Sequence, residues 1–117
     1  MTLTSGAAAL KPGKQASVGG ALNGGLLSLT KGLATELADK RIRVNTVVPG
    51  LVKTELWGKF LDQKRIDELN NSGGNLPVGF VATPDDIAEA YVYLIRANYA
   101  TGTLVTIGEF GYLALNV

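Results

Sequence analysis

The chain of 117 residues has neither cysteine nor histidine. Without cysteine there can be no disulfide, no thiolate nucleophile and no cysteine–zinc site. Without histidine the commonest metal ligand, the Ser-His-Asp triad and the usual neutral-pH base are also excluded. We therefore predict no metal site, and proton transfer is left to tyrosines, carboxylates, lysines and hydroxyl groups.

An excess of one charge and long hydrophobic runs are missing as well. Eleven Lys and Arg residues against ten Asp and Glu residues give a net charge of +1, which argues against a nucleic-acid partner. The sequence contains no run of about 18 apolar residues, so no membrane span is predicted. The first residues do not resemble a signal peptide. We expect one cytoplasmic domain over residues 1–117, with no membrane partner.

Apolar patterns alternate between strand-like and helix-like segments. The residues around Leu3 predict the end of a buried strand, and a helix is predicted over Ser17–Ala38. We expect this helix to bury a face of leucines that are spaced by three or four residues: Leu22, Leu26, Leu29, Leu33 and Leu37. Its many glycines are unfavourable in a helix, which suggests that a partner approaches the backbone closely.

The middle of the chain predicts a second strand and a second helix. Ile42–Val48 is rich in β-branched residues and predicts a strand, which the turn signal Pro49-Gly50 ends. A charged helix is expected around Leu61–Leu69, and Asn70–Asn75 is expected to be a flexible loop.

The last third of the chain predicts a well-defined helix and a final strand. Thr83 can cap the helix, Pro84 suits its first position, and acidic residues follow. The helix is expected to bury Ile87, Ala90, Tyr91, Leu94 and Ile95, and Leu104–Ile107 predicts the strand. This alternation indicates an α/β fold of parallel strands joined by right-handed crossovers.

Four motifs, in this order along the chain, resemble the C-terminal half of the short-chain dehydrogenase/reductase family. The chain is similar in sequence to fungal members of that family. The motifs are Leu29–Ala38, the stretch Ile42–Thr54 with the string Asn-x-Val-x-Pro-Gly-x-Val-x-Thr over residues 45–54, Thr83–Ala88 and Thr101–Thr103. The resemblance implies the C-terminal part of a Rossmann-like, doubly wound parallel sheet, with three strands, crossover helices and the N-terminal strands absent. It also implies NAD(P)(H) as cofactor and a small carbonyl, alcohol or imine as substrate.

Ligands of open α/β sheets bind outside the carboxyl ends of the strands, and Pro49-Gly50 lies at such an end. The resemblance implies that Pro49, Gly50, Val52 and Thr54 bind the nicotinamide end of the cofactor. An ordinary turn after a strand is the alternative. The resemblance also places Trp57 and Phe60 in the substrate lid, where they would line an apolar pocket; simple core packing is the alternative.

The catalytic Tyr-x-x-x-Lys pair of the family is degenerate in this chain. Counting back from Leu29 puts Gly19 at the Tyr position and Asn23 at the Lys position. The chemistry needs a phenol with a nearby ammonium that lowers its pKa, and glycine cannot replace the phenol. Asn23 keeps a hydrogen-bond donor and Ser5 lies near the family's catalytic serine, so these two are the catalytic candidates; for Ser5, a strand-end cap is the alternative.

The sequence leaves three functions open. The first is an NAD(P)(H)-dependent oxidoreductase. The second is a non-catalytic interaction module, because the resemblance places a homo-oligomer interface on the helix over residues 17–38. The third is a cyclase-like pseudo-reductase that uses the old cofactor cleft. After the last strand, the family's Asp-Gly-Gly reads Gly108-Glu109-Phe110.

Overall fold

Three parallel strands form a single sheet in the computed structural model, which describes residues 1–108. Strands β1 (Thr2–Thr4), β2 (Asn45–Pro49) and β3 (Leu104–Ile107) lie side by side in the order β1-β2-β3. The register pairs Thr4 of β1 and Val105 of β3 with the same β2 residue, Val47. The predicted three-stranded parallel α/β fold is confirmed. Glu109 and Phe110, which replace the family's Gly-Gly, lie outside the described residues.

Four α-helices occur in this described part of the chain: α1 (Ser17–Glu36), α2 (Trp57–Phe60), α3 (Gln63–Asn71) and α4 (Pro84–Arg96). Helix α1 starts where predicted and ends two residues earlier than Ala38. Strand β2 begins three residues later than Ile42, whose side chain is exposed.

The predicted flexible loop over Asn70–Asn75 is wrong. Its first two residues end α3, and Gly73–Asn75 forms a 3₁₀ helix. Gly73 is buried, and a Cβ atom there would lie 3.2 Å from the Cα atom of Phe80. Close backbone packing therefore orders a segment whose composition is typical of a loop.

Helix α4 covers one face of the sheet with a compact apolar core. Val47 of β2 packs with Ile87, Ala90 and Leu94 of α4, and all four are buried. The predicted cap is present, since the Asp86 carboxylate accepts hydrogen bonds from the Thr83 main-chain N–H (2.7 Å) and hydroxyl (3.0 Å). This arrangement ties down the first turn of α4.

The predicted stripe of α4 is only partly buried, because Ile95 is 67% exposed. The apolar side chains of α4 form a stripe that is wider than the surface that one strand can cover. The residues at one edge of the stripe therefore remain in solvent.

Helix α1 covers the opposite face, and it does so with small and polar residues. Gly20 and Thr30 are its buried positions, whereas Leu22 is 70% exposed and Leu29 is 46% exposed. The prediction that the leucine face is buried is therefore wrong for these two. A Cβ atom on Gly20 would lie 3.0 Å from the Ala8 carbonyl oxygen, so the glycine allows the 3₁₀ helix Ala7–Ala9 to pack directly against α1.

The two crossovers have opposite hands. Thr46 bonds to Thr30 of α1, whereas its neighbour Val47 packs on α4. Because successive strand residues point to opposite faces, the two helices lie on opposite sides of a sheet whose strands advance in one direction. The prediction that both crossovers are right-handed is wrong. That preference holds when a strand feeds directly into the helix, whereas α2 and α3 separate β2 from α4.

Two side chains at the start of the second motif, Arg43 and Asn45, join β2 to the end of α4 and to the segment between α4 and β3. The Asn45 side chain donates to the Ala100 carbonyl (2.8 Å) and accepts from the Thr103 N–H (3.0 Å). The Arg43 guanidinium donates to the Leu94 carbonyl at 3.0 Å, near the end of α4. A cation at this helix end satisfies carbonyl groups that have no partner within the helix.

Candidate functional site

A cavity of about 550 Å³ lies at the carboxyl ends of β1 and β2. We call it the main cavity. It brings together six of the residues that the sequence singled out, from two separate parts of the chain: Ser5, Pro49, Gly50, Val52, Thr54 and Trp57. Helix α4 supplies the opposite wall with Pro84, Ile87, Ala88 and Tyr91. Most of the lining is therefore apolar, with hydroxyl groups at a few points.

The bend at Pro49 and Gly50 is held firmly at the edge of this cavity. The Gly50 N–H donates to the Ile107 carbonyl at 2.9 Å. A Cβ atom on Gly108 would lie 2.6 Å from the Gly50 Cα atom, so the two glycine backbones cross in direct contact. A side chain at position 108 would push this bend out of place.

The segment after the bend is held by a short ladder to the chain that leads into α4. Val52 forms a parallel bridge with Ala82, and the Lys53 N–H donates to the Ala82 carbonyl at 2.9 Å. Thr54 follows with an exposed side chain. Val52 and Thr54 thus face the cavity from a fixed backbone rather than from a free loop.

Ser5 and Asn23 lie close together, although only Ser5 lines the cavity. The buried Ser5 hydroxyl donates to the Asn23 carbonyl at 2.8 Å, and the Asn23 amide donates to the Gly19 carbonyl at 2.9 Å. A Cβ atom on Gly6 would lie 3.4 Å from the Asn23 side-chain oxygen. The Ser5 hydroxyl and one N–H of the Asn23 amide are therefore engaged with the main chain of α1, and the catalytic roles of Ser5 and Asn23 stay predictions.

The two aromatic residues of α2 occupy different environments. Trp57 is partly buried and lines the main cavity. Phe60, at the other end of this single-turn helix, is 77% exposed and lies outside the lining. Of the predicted pair, the structure brings only Trp57 to the cavity.

Sequence reasoning missed the polar pair of Thr4 and Tyr91. Their hydroxyl groups are hydrogen bonded to each other across β1 and α4, and both residues line the cavity. Thr4 could have been found as the last residue of β1. Tyr91 could not, because the hand of the second crossover decides which helix covers this face of β1.

Two further features of the described residues bear on function. Within residues 1–108, no helix is long and apolar enough to cross a membrane. The same residues contain no group of three or more His, Cys, Asp or Glu side chains that could hold a metal ion.

Parallel strands with a cavity outside their carboxyl ends are typical of open α/β domains that bind ligands at this edge. A family model described as enoyl-(acyl carrier protein) reductase matches residues 1–109. The chain belongs to the short-chain dehydrogenase/reductase family.

The relatives have the same fold and are much longer. Short-chain dehydrogenase/reductase ATR9 of Stachybotrys chlorohalonatus is 41% identical over 106 residues, which are 90% of this chain and 40% of ATR9. A small-chain dehydrogenase solved in complex with NADPH is 39% identical with a TM-score of 0.86, over 96% of this chain and 50% of that one. The solved structure of MalC reductase/Diels-Alderase of Malbranchea aurantiaca is 33% identical with a TM-score of 0.81, over 92% of this chain and 41% of the MalC chain. The chain thus spans about two-fifths of the curated relative ATR9.

Proposed function

We propose that this chain contributes the nicotinamide-binding and substrate-binding part of an NAD(P)(H)-dependent oxidoreductase that acts on a small carbonyl, alcohol or imine. The observation that carries the proposal is the lining of the main cavity by Pro49, Gly50, Val52 and Thr54. Pro49 is the last residue of β2 and the other three follow it, at the strand end where α/β sheets bind ligands. A solved relative is described as a complex with NADPH.

The residues present fit the nicotinamide end of such a cofactor. A flat ring can lie against Pro49 and Gly50, since no side chain projects from Gly50. The main-chain groups near Val52 suit a carboxamide, and the exposed Thr54 hydroxyl can donate to an amide or a phosphate oxygen. When bound, NAD(P)H supplies a hydride to the substrate carbon.

Reduction of a carbonyl also requires a proton on oxygen, and the usual donor is missing. Gly19 carries no side chain, the Ser5 hydroxyl already donates to the Asn23 carbonyl, and the uncharged Asn23 amide does not release a proton. Among the described residues that line the cavity, Tyr91 is the one with a phenol. Two solutions are compatible with this lining. One is transfer from the Tyr91 hydroxyl, once its hydrogen bond with Thr4 is replaced by one with the substrate. The other is a substrate such as a protonated imine, which needs no further proton.

The proposal is tested by NADPH fluorescence with the whole chain. Titration should enhance the emission of NADPH and shift it to shorter wavelength as the ring leaves water. Thr54→Val should weaken binding about tenfold, because a lost hydrogen bond to a polar ligand costs roughly 1–1.5 kcal/mol. Thr35→Val is the matched control, since the Thr35 hydroxyl bonds to Lys31 on the surface of α1. Unchanged emission, or equal losses in both variants, would contradict the proposal.

The outer face of α1 supports a second function, a homo-oligomeric interaction module. Val18, Leu22 and Leu29 are spaced by four and seven residues and are 74%, 70% and 46% exposed. Such a row lies on one side of a helix and is typical of a surface that another chain covers. Light scattering separates the two functions: an oligomer that forms equally with and without NADPH favours the module.

A third candidate, cyclisation, has one specific support. A solved relative is described as a reductase/Diels-Alderase, and a mostly apolar cavity can hold a folded apolar substrate without any acid. Turnover of a diene–dienophile substrate without NADPH would favour this candidate.

A further inference from the structure

A second cavity, of about 360 Å³, lies beside the main one. We call it the side cavity. It lies between the start of α4, the end of β3 and the segment before α4, and its apolar wall includes Leu76, Val78, Phe80, Ala82 and Ile107. Both volumes are within the range of about 300–1,000 Å³ that is usual for small-molecule sites.

The two cavities are adjacent because they share two wall residues. Leu51 and Ile87 line both. Leu51 directly follows the bend at Gly50, and Ile87 is a buried residue in the first turn of α4. Leu51 and Ile87 are therefore the boundary that a molecule in the main cavity would pass to reach the side cavity.

The charged groups around the side cavity indicate what kind of extension fits. Asp86 and Glu89 are its charged lining residues among those described, and both are acidic. The Asp86 carboxylate already accepts two hydrogen bonds from Thr83. No lysine or arginine of the described part of the chain lines this cavity, so a tail that ends in a carboxylate or phosphate would be repelled.

We propose that the site binds extended ligands in two compartments: a carbonyl-bearing head in the main cavity and an uncharged apolar tail in the side cavity. The assignment of the head to a carbonyl rests on the proposed oxidoreductase function. The second compartment rests on the shared wall and the apolar lining alone. Leu51 and Ile87 separate the compartments, and Val78 and Phe80 determine how long a tail is accepted.

Methyl ketones of increasing length, from 2-butanone to 2-dodecanone, provide the test. Trp57 is the only tryptophan of the chain and lines the main cavity, so its fluorescence reports the head compartment. Each methylene that leaves water should tighten binding about three- to fourfold. We expect the gain to continue through the longest ketones, and 11-oxododecanoate to bind at least tenfold more weakly than 2-dodecanone.

A charged side chain in the side cavity should stop the rise in affinity at a shorter ketone. Val78→Glu should abolish the gain for the long ketones and leave the short ones unchanged. Val92→Glu is the matched control, because Val92 is similarly exposed (42% against 59% for Val78) and lines neither cavity. The control should follow the wild-type series.

Two results would overturn the second compartment. One is a wild-type affinity that stops rising at the ketone length that fills the main cavity. The other is an equal loss in Val78→Glu for short and long ketones. Since these measurements need no NADPH, they separate the two proposals. Normal ketone binding without any NADPH binding would leave the compartments standing and remove the oxidoreductase function.

Discussion

Helix α4 meets its face of the sheet through buried aliphatic side chains, whereas α1 bonds to the other face through Thr30 and packs through Gly20 against the 3₁₀ helix Ala7–Ala9. On the α4 side, Leu94 is 1% exposed and packs with Val47. On the α1 side, the Thr30 hydroxyl donates to the Leu26 carbonyl at 2.6 Å and is hydrogen bonded to Thr46. One interface thus depends on apolar area and the other on close approach and satisfied polar groups.

The difference shows that an apolar row on a helix does not by itself identify the face that packs on the sheet. The leucines of α1 include the exposed Leu22 and Leu29, while its inner positions are small. Small inner residues bring the helix near enough for Ala8 and Thr46 to contact it. Leu22 and Leu29 are then left on the outside, where a further chain can bury them.

The largest effect is expected at the α4 core. Leu94→Ala should lower the free energy of unfolding by about 2–5 kcal/mol, because it leaves a cavity in a packed core. Leu22→Ala, on exposed α1, should stay within roughly 0.5 kcal/mol. Urea unfolding followed by circular dichroism measures both. Equal losses would mean that the outer face of α1 is covered in solution, and the contrast between the faces would disappear.

An intermediate effect is expected for the polar side chains of β2. Asn45→Ala should cost about 2–3 kcal/mol, since it removes two hydrogen bonds from a residue that is 1% exposed. Thr46→Val should cost only about 1 kcal/mol, because Thr30 keeps its bond to Leu26. Urea unfolding also measures these two losses of stability. A larger loss for Thr46→Val than for Asn45→Ala would show that the interface with α1 depends more strongly on the hydrogen bond between Thr30 and Thr46.

The smallest effect separates two glycines of α1. Gly32→Ala should raise stability by up to about 1 kcal/mol, since nothing lies within 4 Å of the added methyl group and alanine favours a helix. Gly20→Ala should give no such gain, because its methyl group would lie 3.0 Å from both the Ala8 oxygen and the Pro12 side chain. Thermal unfolding of the two variants measures both changes in stability. If Gly20→Ala stabilises the chain as much as Gly32→Ala does, the backbone at Gly20 is not closely packed.

Local signals predicted much of the fold. Thr83 and Pro84 marked the start of α4, and Leu104–Ile107 appears as β3 without change. The end of α1 and the start of β2 were less accurate, because hydrogen bonding in three dimensions decides where such elements stop. For the candidate site, the position of Pro49 and Gly50 at a strand end placed them at a cavity.

Other parts of the site depend on long-range packing. Phe60 lies three residues from Trp57, yet only Trp57 reaches the cavity. The bond between Thr4 and Tyr91 joins residues 87 positions apart, and no local pattern contains that distance. The Ser5 hydroxyl and one N–H of the Asn23 amide are engaged by α1 in a way that residue type alone could not reveal.

By itself, the sequence determined the alternation of strands and helices, the α/β class, the family and the strand end at which the main cavity lies. The alternation and the class follow from periodicity, capping and turn chemistry, which act between neighbours in the chain, whereas the family follows from the resemblance of four ordered motifs. Only the tertiary structure decided the opposite hands of the crossovers, the inward side of α1 and the second cavity beside Leu51. Each of these depends on contacts between distant segments, and such contacts form only when the whole sheet and both helix layers pack together.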